Sequence, residues 1–303
     1  MLRFLLALCS FSVFSTFAVD KTNYPDSAFV RTGLNIEKPA KENSKTEILI
    51  IPGSESVKKP SGNHEYMAGG ALLMDIFNKM ESVHAVLSNY DWPDNEKLIE
   101  KADVIVFYGN GDGKQGFFAK SERVEILKNK IKNGVGFVNL HASICYPEPH
   151  VELGQKWIGG VWTDKFSKGN RGHWKSSHES FPKHEITSGV TPWKADDGWC
   201  HKILIPAENR DNITPLLWSS KTHKGDPKGG DNDIVAWTFQ RPDGGRSFSC
   251  SGAHGHWEWA NDGLRQMIVN GILWSAGLKV PANGFDCKID KPNMNRFFDI
   301  RKK

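Results

Sequence analysis

The sequence predicts an α/β fold with a mainly parallel, doubly wound sheet. Strand-like and helix-like patterns alternate four times within about 95 residues, the order expected of βαβ units. The strand runs are apolar almost throughout, rather than alternating apolar with polar. That pattern marks strands buried on both faces.

The elements follow in order. Residues 47–53 (EILIIPG) form a first strand stopped by Pro52-Gly53, and 65–80 (EYMAGGALLMDIFNKM) carry apolar residues at helical spacing. A second strand is expected at 83–88 (VHAVLS), a short helix at 95–102 (NEKLIEKA) and the clearest buried strand at 103–109 (DVIVFYG). Residues 121–134 (SERVEILKNKIKNG) read as an amphipathic helix closed by Gly134, and 134–142 (GVGFVNLHA) as the next strand. The stretch 145–230 reads as loop-rich and holds most of the Trp and His residues. Strands at 233–240 and 246–254 flank the turn Arg241-Pro242-Asp243-Gly244-Gly245, and a final helix spans 263–277. Neither an internal repeat nor a long linker interrupts this series, so one domain is expected over 46–285, followed by a tail over 286–303.

Residues 1–18 (MLRFLLALCSFSVFSTFA) have one cation at Arg3, an apolar run, and small residues at Thr16 and Ala18, the layout of a secretory signal peptide cleaved after Ala18. A membrane anchor is the poorer reading, because the apolar run contains Ser and Thr and falls short of the ~20 residues a bilayer span needs. The mature chain would then lack a membrane span and be secreted or periplasmic. Residues 19–45 are polar and aperiodic, a surface-hugging lead-in. Cys145, Cys200, Cys250 and Cys287 remain after cleavage. In an oxidising compartment they can form two disulfides in three pairings; free buried thiols are an equal alternative.

The chain has 303 residues, 39% hydrophobic and 24% charged, which excludes disorder and collagen-like repeats. Lys and Arg total 39 against 35 Asp and Glu, a net charge of +4, and the longest basic tract is Arg301-Lys302-Lys303. A protein that tracks nucleic-acid phosphates needs a basic stripe, so nucleic acid is not an expected partner. The 11 Trp and 11 His residues are types common at polar small-molecule sites, although composition alone does not name the ligand.

Among the motifs, GNGDGKQG (109–116) follows a strand, but its glycines and Gln115 do not fit a phosphate-binding loop. It reads as a turn at a site rim. His141 stands at the carboxyl end of a buried strand, where open α/β sheets bind ligands, and is a candidate for acid–base or metal chemistry. His64-Glu65 opens the first helix at the same face; Glu65 can equally serve the helix dipole. SGAHGHWEW (251–259) places His254 and His256 two residues apart, the spacing of paired ligands. His173, His178, His184 and His201 each read more readily as structural or solvent-facing. Trp162, Trp199 and Trp257 are candidates to stack on sugar rings, although a Trp more often serves packing. There is no Gly-x-Ser-x-Gly elbow and no His-Glu-x-x-His helix.

Taken in order, KPSGNHEYMAGGALL (59–73), DVIVFY (103–108), GVGFVNLHAS (134–143), WIGGVW (157–162), HEIT (184–187), DDGWCH (196–201), the segment 235–257 and LRQMIVNGILWSAG (264–277) resemble the ThuA-like, or trehalose-utilisation, domain family. The resemblance implies a flavodoxin-like fold similar to class I glutamine amidotransferases and a role in carbohydrate metabolism, on keto-sugars or other glycosides. His141 lies where those relatives carry a nucleophilic Cys, with Cys145 beyond it, so amidotransferase chemistry is not carried over. DDGW in place of an Asp-Glu pair makes Asp197 the less secure functional residue.

The combined expectation is a carbohydrate-active hydrolase or lyase. His141, Glu65 and Asp197 are its catalytic candidates. His64, His254 and His256 are candidate ligands for a divalent metal such as zinc. The alternative is a non-catalytic carbohydrate-binding protein using the same pocket and its Trp residues. Oligomeric state is left open.

Overall fold

The computed structural model describes residues 27–28, 36–38, 45–54, 62–225, 230–289 and 299–300. The expected signal peptide lies outside them, as does most of the lead-in. Two short strands, β1 (Ser27–Ala28) and β11 (Asp299–Ile300), pair antiparallel with each other.

The main sheet is assembled from β2 (Thr46–Pro52), β3 (Val83–Leu87), β4 (Val104–Tyr108), β5 (Gly136–Leu140), β8 (Ile213–Trp218), β9 (Ile234–Gln240) and β10 (Arg246–Cys250). Its order is β3-β2-β4-β5-β10-β9-β8. The first five of these are mutually parallel, while β9 runs antiparallel to both β10 and β8. The chain leaves β2 for β3 on one side, then crosses back to β4 on the other. This reversal opens a crevice at the carboxyl ends of β2 and β4, the place where such sheets hold ligands.

The unbroken apolar runs have a direct physical reading. Side chains alternate across a strand, so Ile48 and Ile50 enter one core while Leu49 and Ile51 enter the other. Helices α1 (Tyr66–Phe77) and α6 (Asp262–Ser275) cover the first face. Helices α2 (Lys97–Lys101), α3 (Ser121–Lys132) and α4 (Val151–Ile158) cover the second. Helix α3 inserts Val124, Leu127 and Ile131, three residues at helical spacing, each contributing about 1.5–3 kcal/mol when fully buried. It ends at Asn133, and Gly134 follows at φ +85°, the left-handed turn that Gly adopts without strain. The lead-in touches the sheet edge where described: Ile36 bridges Leu87, and the Glu37 carboxylate accepts N–H bonds from Asn89, Asp94 and Asn95.

The middle of the chain departs from the expected loop. Besides α4 and the single turn α5 (Asp164–Ser167), it forms an antiparallel hairpin, β6 (Arg171–His178) with β7 (Trp193–Cys200), and the sheet-edge strand β8. The hairpin does alternate in burial, but its inward set includes Ser176, His178 and Asp197 beside Trp174, Trp193 and Trp199. Polar residues on the buried face erase the hydrophobic period that reveals a strand. The late strand expected over 246–254 stops at Cys250, and 251–254 is irregular chain. All four described cysteines are free, buried thiols. Among the described residues, no helix is long and apolar enough to cross a membrane.

Candidate functional site

Three segments meet at the carboxyl end of the sheet. His141 follows β5 directly and opens a tight turn, His141–Ile144, with a left-handed backbone at φ +56°. His64 precedes α1 at φ +59°, and its N–H donates to the carbonyl of His254 at 2.9 Å. Asn63 and Gly255 form an antiparallel bridge, and the His256 N–H donates to the Gly62 carbonyl at 2.7 Å. The loop after β10 is thereby stitched to the loop before α1. Ala253 is a third residue at positive φ, +62°. Left-handed backbone at side-chain-bearing residues costs about 1–2 kcal/mol each, and three such residues meet here.

The result is a group of three imidazoles. One ring nitrogen from each of His64, His141 and His254 lies within 4.8 Å of the others. His254 Nδ1 and His141 Nε2 are 3.2 Å apart. His141 Nδ1 faces the carbonyl of Ser251 at 3.2 Å, and a carbonyl only accepts. Nδ1 therefore carries the proton, and Nε2 turns its lone pair toward the other two rings. Burial, and then the neighbouring His254 and His64, hold His141 well below the usual imidazole range. Burial, followed by His64 and His173, lowers His254 to about 3. Clustered imidazoles are the donor set a zinc ion takes: a Zn–N length of ~2.05 Å sets a tetrahedral edge of about 3.3 Å.

The three rings border a cleft of about 610 Å³ whose wall also includes Asn110, Asp112, Lys114, Arg171, His173, Trp199 and Cys200. On one side Arg171 donates to Asp112 at 2.9 Å. On another, His173 Nε2 meets Asp196 Oδ1 at 2.7 Å, and the His173 ring lies 5.9 Å from His254. Tyr66 stands beside both His64 and His141 and donates its hydroxyl to Asn110. The glycine-rich loop 109–116 supplies rim side chains, but its amides are used internally: Asp112 N–H donates to Cys145 O, and Gly113 N–H to the Gln115 side chain.

The remaining sequence candidates fall elsewhere. His256 is buried at the start of a helical turn, outside the three-histidine group. Glu65 occupies the residue before α1, buried and without a side-chain cap bond to the helix. Asp197 is fully buried beneath the 253–255 loop. Its oxygens accept N–H bonds from Gly198 (2.8 Å), Ala253 (2.6 Å) and Gly255 (3.0 Å). It shapes the loop carrying His254, while burial pushes its pKa up to about 7 against those bonds. Glu258, which the sequence did not single out, is a second buried acid raised to about 8 by burial and then Asp197; it accepts from the Asp196 N–H. Trp162 is buried with the Arg171 guanidinium over its face, and Trp257 is buried and donates to the Asp196 carbonyl. Only Trp199 of the three borders the cleft, and it is 1% exposed.

Arg171, His173 and Asp112 went unrecognised because their use depends on the hairpin. Gly198 in β7 approaches so closely that a Cβ there would sit 2.7 Å from the His254 ring. This glycine is the sequence signal for the contact between hairpin and site.

Residues 57–275 match the family described as ThuA, trehalose utilisation. No curated protein matches the chain. A ThuA-like protein from Bacteroides uniformis is similar in structure, with a TM-score of 0.52 and 15% identity over 80% of this chain and 95% of that one. A ThuA-like protein from Parabacteroides merdae aligns at a TM-score of 0.49 and 16% identity over 85% and 96%. The mostly parallel sheet with flanking helices is the glutamine-amidotransferase-like fold of the family and of the Bacteroides uniformis neighbour.

Proposed function

This chain belongs to the ThuA trehalose-utilisation family, and we propose that its three-histidine cleft is the catalytic centre of a carbohydrate-active enzyme working on glycosides or keto-sugars. The observation that carries the reading is the convergence of His64, His141 and His254 within 4.8 Å, with a lone pair of His141 turned into the group. His64, His141 and His254 would hold a divalent ion such as zinc, which would supply Lewis-acid chemistry to a substrate or water oxygen in the cleft. The His173–Asp196 pair at the cleft wall supplies a proton-transfer group whose imidazole is oriented by a carboxylate. Asp196 is itself held from behind, its N–H by Glu258 and its carbonyl by Trp257. Such a site suits proton abstraction next to a keto-sugar carbonyl, or metal-assisted hydrolysis.

Non-catalytic sugar binding is the weaker reading. It calls for an open aromatic face, and Trp162, Trp199 and Trp257 are all buried. Secretion or periplasmic residence belongs to the same proposal and rests on the layout of residues 1–18. N-terminal sequencing of exported protein should begin at Val19.

The decisive experiment is metal analysis of purified protein combined with turnover of keto-sugars and release of reducing sugar, for wild type and His141→Ala. Bound zinc with turnover, both lost in a folded His141→Ala, is the expected result. Unchanged turnover in that variant overturns the proposal. Glycan affinity with neither metal nor turnover favours the binding protein.

A further inference from the structure

The cysteines hold an observation that the catalytic reading leaves unused. Cys145 follows the turn opened by His141, and Cys200 ends β7; they are 55 residues apart in sequence, with sulfurs 3.8 Å apart. Their surroundings differ. Cys200 borders the cleft, whereas Cys145 is fully buried behind it. The Arg171 guanidinium is within electrostatic range of both sulfurs. Cys250 and Cys287 have no second sulfur within hydrogen-bonding reach among the described residues.

We propose that Cys145 and Cys200 form a reversible dithiol–disulfide site, entered from the cleft through Cys200 and closed by Cys145. A disulfide needs sulfurs at about 2.05 Å, so about 1.8 Å of approach remains from the observed 3.8 Å. The backbones on both sides are already fixed. The Cys145 carbonyl accepts from Asp112 N–H and the Gln115 amide, and the Cys200 N–H donates to Ser251 Oγ.

The oxidant is a small-molecule disulfide. Cys200, as thiolate, attacks one of its sulfurs; the external S–S bond breaks and the first small thiol leaves with a proton. Cys145 then gives up its proton and attacks the Cys200 sulfur of the mixed disulfide, expelling the second small thiol. Two protein thiols are oxidised and one external disulfide is reduced to two thiols. The order follows from burial, which pushes the Cys145 thiol well up and keeps it from the cleft, suiting it to the second step. The bond would tie the turn that begins with His141 to the strand that abuts His254 through Gly198. It would thus brace the cleft without using any histidine. This inference stands on the thiol geometry and is independent of the reaction proposed for the cleft.

The test equilibrates the native full chain with oxidised glutathione, quenches in acid, alkylates under denaturing conditions and maps peptides by mass spectrometry. The expected result is loss of two alkylatable thiols and a Cys145–Cys200 cross-linked peptide, with Cys250 and Cys287 alkylated in full. The oxidised protein should melt at least about 5 °C higher, because a loop of this length constrains the unfolded chain. Cys145→Ser should trap the glutathione adduct on Cys200, and Cys200→Ser should leave Cys145 unmodified. No loss of alkylatable thiols after equilibration, a different pairing, or adduct formation first on Cys145 would each overturn the proposal.

Discussion

Replacing His141 with Gly separates what the residue does for the site from what it does for the fold. The His141 backbone sits at φ +56°, a conformation costing a side-chain-bearing residue about 1–2 kcal/mol and Gly almost nothing. The substitution removes the Nδ1–H bond to Ser251, worth about 1 kcal/mol net, and a ring that borders a cleft water can fill. These effects oppose each other, so the metal-free variant should stay within about 2 kcal/mol of wild type, a midpoint change of roughly 4–8 °C or less. Zinc at about 100 times its dissociation constant should stabilise wild type by about 2.7 kcal/mol. Loss of one ligand of three, at an affinity cost of about 100-fold, would reduce that gain to about 0.4 kcal/mol. Thermal unfolding of both proteins with and without zinc measures all four quantities. An equal zinc-induced shift in the variant refutes the assignment of the ion to these histidines. Metal-free destabilisation beyond about 4 kcal/mol would mean instead that the ring is held for packing.

The remaining predictions concern the surroundings of the site. Gly198→Ala puts a methyl group 2.7 Å from the His254 ring; zinc affinity should fall at least about 10-fold while stability drops by about 1–3 kcal/mol, read by calorimetric titration and urea unfolding. A normal affinity would show that the hairpin does not set the position of His254. Asp197→Asn replaces an acceptor of three backbone N–H groups by an amide with one acceptor oxygen, and should cost about 2–4 kcal/mol in urea unfolding. Stability should peak between about pH 5 and 6 in urea titrations. Burial lowers His178 to about 3, and His254 is also lowered to about 3, chiefly by burial. Below about 6.5 the unfolded chain therefore binds more protons at these groups, a loss that the two acids named next offset down to about pH 5, and below that stability falls with acid. Asp197 at about 7 and Glu258 at about 8 are raised, so the folded chain holds protons that the unfolded chain has lost, and stability falls again as pH rises toward 8. A profile still climbing between pH 6.5 and 8 would contradict the burial of these two acids.

The parallel core was legible because burial on both faces demands apolar residues at every position, and local sequence displays that directly. The runs ILII, VIVF and GFVNL appear as β2, β4 and β5, with Gly134 closing α3. The hairpin β6–β7 was not legible, since Ser176, His178 and Asp197 face inward, Ser176 bonding His178 and Asp197 accepting from the distant loop after β10. The histidines split along the same line. His141 was marked by the strand it follows, whereas choosing between His254 and His256 was beyond a spacing argument. Two residues apart on a strand share a face, but this loop is irregular and turns His254 to the cleft while burying His256.

The sequence by itself determined the α/β class, the succession of the buried strands along the chain and the place of His141 at the end of one of them, because strand periodicity and chain order are local properties. Tertiary structure alone decided which side chains meet. His64, His141 and His254 are joined by backbone pairing between residues 62–64 and 254–256, and Asp197 is drawn beneath the loop rather than into the cleft. Cys145 and Cys200, 55 residues apart, come to 3.8 Å only because the hairpin folds back over the carboxyl ends of the strands. Contacts across such separations depend on how whole elements pack, and no short window of sequence contains that information.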